Sequence, residues 1–263
     1  MKQINAIAVR ELKRQGFTVL KKKLPKKKCL NLKKILRKFN DSFNKTLNPV
    51  EYNFNVYCLN KDFLNLAFDK DINEIVKRFF VYKKDKKLET KNLDYHLNYI
   101  HHRCLNKPTP PQKLHIDGKL PGANPEISLS FIIYLDDVDK PNGPTSYVPG
   151  SHLIKSLPIK KKHIKAKNIL GKQGTITAFS GSTWHGSAEK TNNKSRAIIL
   201  INFTRWFISQ NFALPYLMPK KIVNSLKDKE KRILGFYDYP VIKKNKVDKK
   251  DKKNLFYKKN NIF

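Results

Sequence analysis

Acidic side chains are scarce in this sequence. Asp and Glu number 21 against 55 Lys and Arg among 263 residues, leaving a formal charge of +34. Such an excess would draw acidic partners by long-range attraction. It comes mostly from lysine runs such as Lys21–Lys23, Lys26–Lys28 and Lys160–Lys162, scattered along the chain. These runs lack the regular aromatic interleaving of a single-strand binding groove, so solvated faces are favoured over a nucleic-acid site. Cysteine is sparse too. Cys29, Cys58 and Cys104 are odd in number, far apart and form no Cys-x-x-Cys. That excludes a disulfide framework and leads us to expect a reducing compartment, the cytoplasm. No apolar run approaches the roughly 18 residues of a membrane helix. The first ten residues, broken by Asn5 and ending at Arg10, are too short for the apolar region of a signal peptide.

What is present is the material of a core. Hydrophobic residues make up 40% and aromatics 11%, which excludes a disordered chain. Ile4, Ile7, Ala8 and Leu12 recur at helical spacing over 2–15, and Gly16 should stop that helix before a short strand with Phe17 and Val19. Leu30, Ile35, Leu36 and Phe39 predict a second helix, and a third helical region spans 61–80. From about residue 93 short strand-like runs take over, at 93–101, 127–135, 145–149, 174–180, 183–188 and 195–203. Pro and Gly clusters at 108–111, 121–125 and 141–144 separate them. Strands so punctuated indicate a β-sandwich or barrel, and the lack of βα alternation disfavours a parallel α/β sheet. The expected organisation is one domain over 1–241. It has a mainly helical part to 92, a β core over 93–210 and mixed helix and loop over 211–241. The Lys- and Asn-rich tail, 242–263, has no period and is expected to be flexible.

Few residues carry chemistry. His115-Ile116-Asp117 sets an imidazole and a carboxylate two residues apart, on one side of an extended segment. Thr183-Trp184-His185-Gly186-Ser187, on a later strand, offers a third ligand to a shared ion. Two histidines and one carboxylate leave three positions of an ion open, the ligand set of a non-haem Fe(II) oxygenase. Alone, His-x-Asp is a frequent coincidence in a chain with seven histidines. Arg196 adds weight. It follows His185 across the turn-like Lys190–Lys194, and a hairpin there would return it beside that histidine. A guanidinium grips a carboxylate through two parallel hydrogen bonds. A dicarboxylic co-substrate that chelates iron at one end needs such an anchor at the other. By itself an arginine on a strand is an ordinary ion-pair partner; the combination points to a site.

Further pieces complete an ordered set: Asn142-Gly143-Pro144 with Pro149-Gly150-Ser151-His152, then Gly174 and Phe179, and late in the chain Lys229-(x)2-Arg232-Ile233-Leu234-Gly235-Phe236. Together with His115, Asp117, His185-Gly186-Ser187 and Arg196 they resemble the phytanoyl-CoA dioxygenase family, over roughly residues 5–240. The resemblance implies a mainly β fold with flanking helices and a double-stranded β-helix (jelly-roll) core. It also implies Fe(II), 2-oxoglutarate and O2, and a small-molecule substrate that is hydroxylated. His115, Asp117 and His185 would hold iron; Arg196 would bind the far carboxylate of 2-oxoglutarate, with Ser187 assisting. Two positions depart from the pattern. Ile116 stands where glutamine is frequent, and Phe131–Tyr134 lack the tryptophan some members carry. Related halogenases replace the carboxylate ligand with a small residue, so Asp117 favours hydroxylation. Asn202 stands where nucleic-acid demethylases of the wider superfamily carry a second arginine, which weakens that reading.

The other histidines have plainer readings. His101 and His102 are adjacent, so on a strand they face opposite sides and do not share an ion. His152 closes a turn that it should fix by hydrogen bonding, His163 sits in a lysine-rich stretch, and His96 reads as interior. Tyr95 and Tyr99 are expected on one face with Leu93 and Leu97, as core first and pocket lining second, and Trp184 on the face opposite His185. The high charge suggests an anionic substrate. A catalytically silent jelly roll docking on an anionic polymer through its basic surface is the alternative function.

Overall fold

The computed structural model describes residues 2–43, 50–80, 95–118, 120–124, 126–158 and 165–236. Leu93, His163 and the basic tail lie outside the described residues. Two antiparallel sheets face one another. The large sheet is built from β1 (Phe17–Lys23), β8 (Thr175–Ser180), β5 (Ser128–Tyr134), β10 (Arg196–Arg205), β3 (Tyr95–Leu105) and β2 (Val50–Asn53), in that spatial order. The small sheet runs β4 (Gln112–His115), β9 (His185–Ser187), β6 (Thr145–Tyr147) and β7 (Lys167–Ile169). This is the double-stranded β-helix expected from the resemblance, with helices on one side.

The central strands of the large sheet are buried on both faces, and alternation along each sorts its residues between two cores. Leu129, Phe131 and Ile133 of β5 and Ala197, Ile199, Ile201 and Phe203 of β10 turn outward. There they join residues of the helices: Leu12 of α1 (Lys2–Gln15), Leu36 of α2 (Lys26–Phe43), Phe63 of α3 (Lys61–Ala67) and Phe79 of α4 (Lys70–Phe80). Ile132, Tyr134, Phe179 and Ile198 turn inward, onto Tyr147 and Ile169 of the small sheet. Burying each such side chain contributes roughly 1.5–3 kcal/mol, so β5 and β10 are the rigid spine. Three short helices, α5 (Leu214–Leu217), α6 (Lys220–Asn224) and α7 (Asp228–Ile233), follow β10 and add Leu214 and Ile233 to the helical side.

Several expectations are corrected. The helical region over 61–80 is two helices. Asp69 breaks it, its carboxylate accepting from the backbone N–H groups of Asp71 and Ile72 to cap α4. In α2 the buried side chains are Cys29, Leu32 and Leu36, while Leu30 is exposed. β1 continues into its lysines, because an edge strand can leave Lys21 and Lys23 in solvent. Tyr99 does not share a face with Tyr95 and Leu97. A bulge at Asn98 pairs Asn202 with Tyr99 but Phe203 with Leu97, so Tyr95 and Leu97 stay in the helical core and Tyr99 crosses to the inner face.

Gly16 ties the helical layer to the small sheet. It stops α1 at φ +86°, its N–H donating to the Leu12 carbonyl. Its own carbonyl accepts from the Ser180 N–H and from Thr183 Oγ1 at 2.8 Å. His152 packs on the same spot and donates from Nε2 to the Lys13 carbonyl at 3.1 Å, the turn-fixing role expected of it. A Cβ at residue 16 would lie 2.5 Å from Thr183 Oγ1 and 2.8 Å from His152 Nδ1, whereas at Gly150, φ +77°, it would meet open space. Gly16→Ala should therefore cost roughly 2–4 kcal/mol in denaturant unfolding and Gly150→Ala about 1 kcal/mol, the strain of a left-handed residue alone. Equal costs at the two positions would contradict this packing.

Candidate metal centre

Two short strands bring the candidate ligands together. β4 pairs antiparallel with β9, and His115 and His185 are directly opposite in that register. Their ring centroids lie 4.3 Å apart. Asp117, just past β4, is held by its backbone N–H donating to the Gly181 carbonyl at 3.1 Å. Its Oδ1 lies 3.3 Å from His185 Nε2 and 3.7 Å from His115 Nε2. One ligand atom from each residue falls within 4.8 Å of the others, the single such cluster among the described residues. Both rings are oriented from behind: His115 Nδ1 lies 3.0 Å from the Lys113 carbonyl and His185 Nδ1 2.9 Å from the Thr183 carbonyl. Donation there places the proton on Nδ1 and frees each Nε2 to bind a metal, the arrangement usual for ligating histidines. The His185 side chain is 8% exposed against 37% for His115 and 26% for Asp117, so the cluster is open on one side only.

Charge within the cluster is coupled. Burial opposes the ionised form of Asp117, but His185 and His115 outweigh it and its pKa is lowered. Burial likewise disfavours the His185 imidazolium, yet the Asp117 carboxylate beside it raises that pKa overall. His115 is lowered, by burial first and then by His185.

Arg196 opens β10, and here a predicted connection is corrected. The turn over 190–195 makes no hairpin between β9 and β10. Both edges of β9 are already occupied, by β4 and β6, so the chain passes to the large sheet. The Arg196 side chain nevertheless returns to the small sheet, its Nη2 donating to Thr145 Oγ1 at 3.0 Å. Thr145 pairs with Ser187 and Tyr147 with His185 in one register, so the guanidinium sits two residues along the same face from the histidine pair. Arg196 is 1% exposed, and its Nε and Nη1 meet no acceptor. Burial brings its pKa down to about 10, so it stays charged at neutral pH. The Ser187 hydroxyl accepts from the Gln112 N–H at 3.3 Å, which leaves its own proton to donate.

The family model for phytanoyl-CoA dioxygenase (PhyH) matches residues 12–198, a span containing all three ligand candidates and Arg196. The chain belongs to this family. Among curated proteins it is 28% identical over 136 residues to dioxygenase ALT11 of Alternaria alternata. That match covers 48% of the chain and 44% of the relative, so the chain spans less than half of that relative's length. Among solved structures it is similar to HygX of Streptomyces hygroscopicus with nickel and 2-oxoglutarate bound. The TM-score is 0.64 at 14% identity, covering 78% of this chain and 88% of the other. The epimerase SnoN, in complex with Fe3+, alpha-ketoglutarate and nogalamycin RO, gives 0.63 at 13% identity, covering 84% and 92%. Both likenesses bear on the fold.

Sequence reasoning missed the residues behind the candidate ligands. The bulged Asn98 donates to Asn202 Oδ1 at 3.0 Å, Asn202 donates to Ser130 Oγ at 2.8 Å, and Ser130 reaches Asp117 Oδ2 at 3.4 Å. Asn202, noted only as the place of an absent arginine, is thus a link in the support of the carboxylate. Asn142 does more than form the turn at Gly143. Its Oδ1 accepts from the fully buried Lys190 amine at 2.7 Å, and the Lys194 carbonyl accepts from the same amine, fixing the turn that delivers Arg196. No motif marks a lysine for burial, so nothing in the sequence flagged it. His101 and His102 face opposite sides as expected. Each accepts at Nδ1, from the Asn55 N–H and the Asn53 amide, and burial takes both pKa values down to about 4. A cavity of about 390 Å3 lies on the helical side of the large sheet, lined by Leu24, Leu32, Leu66 and Ile133, and includes none of the candidate ligands.

The raised pKa of His185 has a measurable consequence. Its imidazolium persists above the ordinary imidazole value, so protons compete with a cation for Nε2 throughout that range. Divalent-metal affinity, followed by calorimetry from about pH 8 to about pH 6, should fall by about tenfold per pH unit once below the His185 pKa. Affinity independent of pH over that range would contradict a histidine-held site.

Proposed function

We propose that this chain is an Fe(II)- and 2-oxoglutarate-dependent dioxygenase that hydroxylates a small organic substrate. The observation that carries the reading is the pairing of the His115–Asp117–His185 cluster with a buried guanidinium that has two unpartnered donors on the same inner face. An orphaned buried donor costs about 1–3 kcal/mol, more on a charged group. Two of them on Arg196 suit a group that brings its own carboxylate. The donor set, two neutral imidazoles and a carboxylate, suits iron with positions left open. Iron held there supplies O2 activation coupled to conversion of 2-oxoglutarate into succinate and CO2.

The chain's own residues do the positioning. His115 and His185 would present Nε2 while Lys113 and Thr183 carbonyls hold the rings in place. Asp117, oriented by Ser130, would supply the anionic ligand and leave no room for a halide in its place. Arg196 would take the far carboxylate of 2-oxoglutarate. Thr145 fixes one arm of the guanidinium, and Ser187, its neighbour across the strands, would assist. Phe179, with ring centroids 4.5 Å apart, packs on His185 and keeps water from the deep side. The described cysteines are all free, which fits a reducing compartment such as the cytoplasm, and no described helix is long and apolar enough to cross a membrane. The alternative of silent docking on an anionic polymer has no comparable observation in its favour.

The test is spectroscopic. Anaerobic Fe(II) with 2-oxoglutarate should give a weak visible charge-transfer band near roughly 500–530 nm. His115→Ala should abolish it, and Arg196→Met should raise the 2-oxoglutarate concentration needed by roughly ten- to a hundredfold. Folded wild-type protein without the band would overturn the proposal.

A further inference from the structure

A second arginine faces the metal centre. Arg103 lies on β3, paired with Ile198 of β10 and Tyr52 of β2. Because cross-strand partners share a face, it stands on the same inner row as Ile198 and Tyr134. Its Nη1 donates to Gln112 Oε1 at 3.1 Å, reaching across to β4, the strand of His115. Its Nε is buried and meets no acceptor, and no carboxylate among the described residues pairs with it.

Beside Arg103 lies an aromatic shelf. Tyr52 and Phe54 are 42% and 59% exposed, though their rings sit only 4.6 Å apart. Phe54 meets His101 at 4.8 Å and Phe212 at 5.9 Å, and Tyr99 stacks flat on His101 at 4.1 Å. Tyr99 links the shelf to the centre. The bulge at Asn98 turns it onto the row of Asn202 and Ser130, the pair that backs Asp117.

We propose that this β2–β3 edge is the subsite for the primary substrate, with Arg103 binding its carboxylate and Tyr52, Phe54 and Phe212 carrying its apolar body. The inference rests on the dioxygenase reading. Two guanidinia on one inner face repel each other unless each meets an anion. Arg196, fully buried beside Thr145, is enclosed enough for the co-substrate; Arg103 is only partly buried and adjoins the open shelf. Nη1 is held by Gln112 at the exposed end of the fork, and Nε is buried with no acceptor, a donor left unmet that a planar carboxylate seated against the fork would satisfy. An acid anchored there would lie with its body on the rings and one end toward His115 and Asp117.

The test titrates 3-phenylpropanoate and its uncharged amide into the full chain loaded anaerobically with Fe(II) and 2-oxoglutarate, by calorimetry. The acid should bind roughly ten- to a hundredfold more tightly than the amide. Arg103→Met should erase that preference and leave amide binding unchanged; Arg103→Lys, which keeps the charge without the fork, should retain part of it. Phe54→Ala, at an exposed position, should weaken acid and amide alike. Equal binding of the two probes, no binding of either at millimolar concentration, or a preference that survives Arg103→Met overturns the proposal. So does loss of the Fe(II)–2-oxoglutarate band in Arg103→Met, which would give this arginine to the co-substrate. The same band, read in the wild-type sample, separates the two claims. Its absence there defeats the dioxygenase reading itself, whereas its presence without acid preference defeats this inference alone.

Discussion

The site depends on one strand pairing. β4 contributes four residues and β9 three, yet their antiparallel register sets His115 against His185 and leaves Asp117 at the strand end to close the triangle. A slip of one residue would turn each side chain to the other face of the sheet and dissolve the cluster. Such short strands cannot hold a register by themselves. They are held from outside: by Thr183 on Gly16, by the Asp117 N–H on Gly181, and by the Trp184 N–H on Ser151 Oγ at 2.8 Å. The small sheet is exact because the large sheet and α1 make it so.

The large sheet can bear that load because its central strands are buried on both faces. The site itself is unfavourable to folding. A charged guanidinium lies desolvated with two donors unmet, a second has one unmet, and an imidazole pair crowds a carboxylate. Dense apolar packing through β5 and β10 offsets these costs, and strain of this kind is expected where ligands bind. The buried polar relay from Asn98 through Asn202 and Ser130 follows the same logic. Each member is satisfied by the next, and the last steadies the carboxylate.

Much of this was legible in the sequence, for local reasons. His115-x-Asp117 lies on an extended stretch, so its common direction followed from strand geometry alone. Gly16 announced the end of α1, and the apolar run over 127–135 announced a strand, which the structure buries on both sides. What stayed hidden depends on distant partners. β4 shows no apolar alternation because its residues are exposed or half-buried, and only pairing with β9 defines it. The bulge at Asn98 is visible only against β10, and it decides that Tyr99 faces the centre rather than the helices. The passage of the chain from β9 to the large sheet follows from both edges of β9 being occupied, which no local pattern records. Lys190 looked like one more lysine among many; only Asn142, Asn192 and the Lys194 carbonyl around its amine mark it as structural.

The most direct measurement is an anaerobic crystal structure of the full chain with Fe(II) and 2-oxoglutarate. The account requires the metal on the Nε2 atoms of His115 and His185 and on an Asp117 oxygen, with the far carboxylate of the diacid on the Arg196 guanidinium. Iron bound away from these three side chains, or a diacid whose far carboxylate lies away from Arg196, would contradict it.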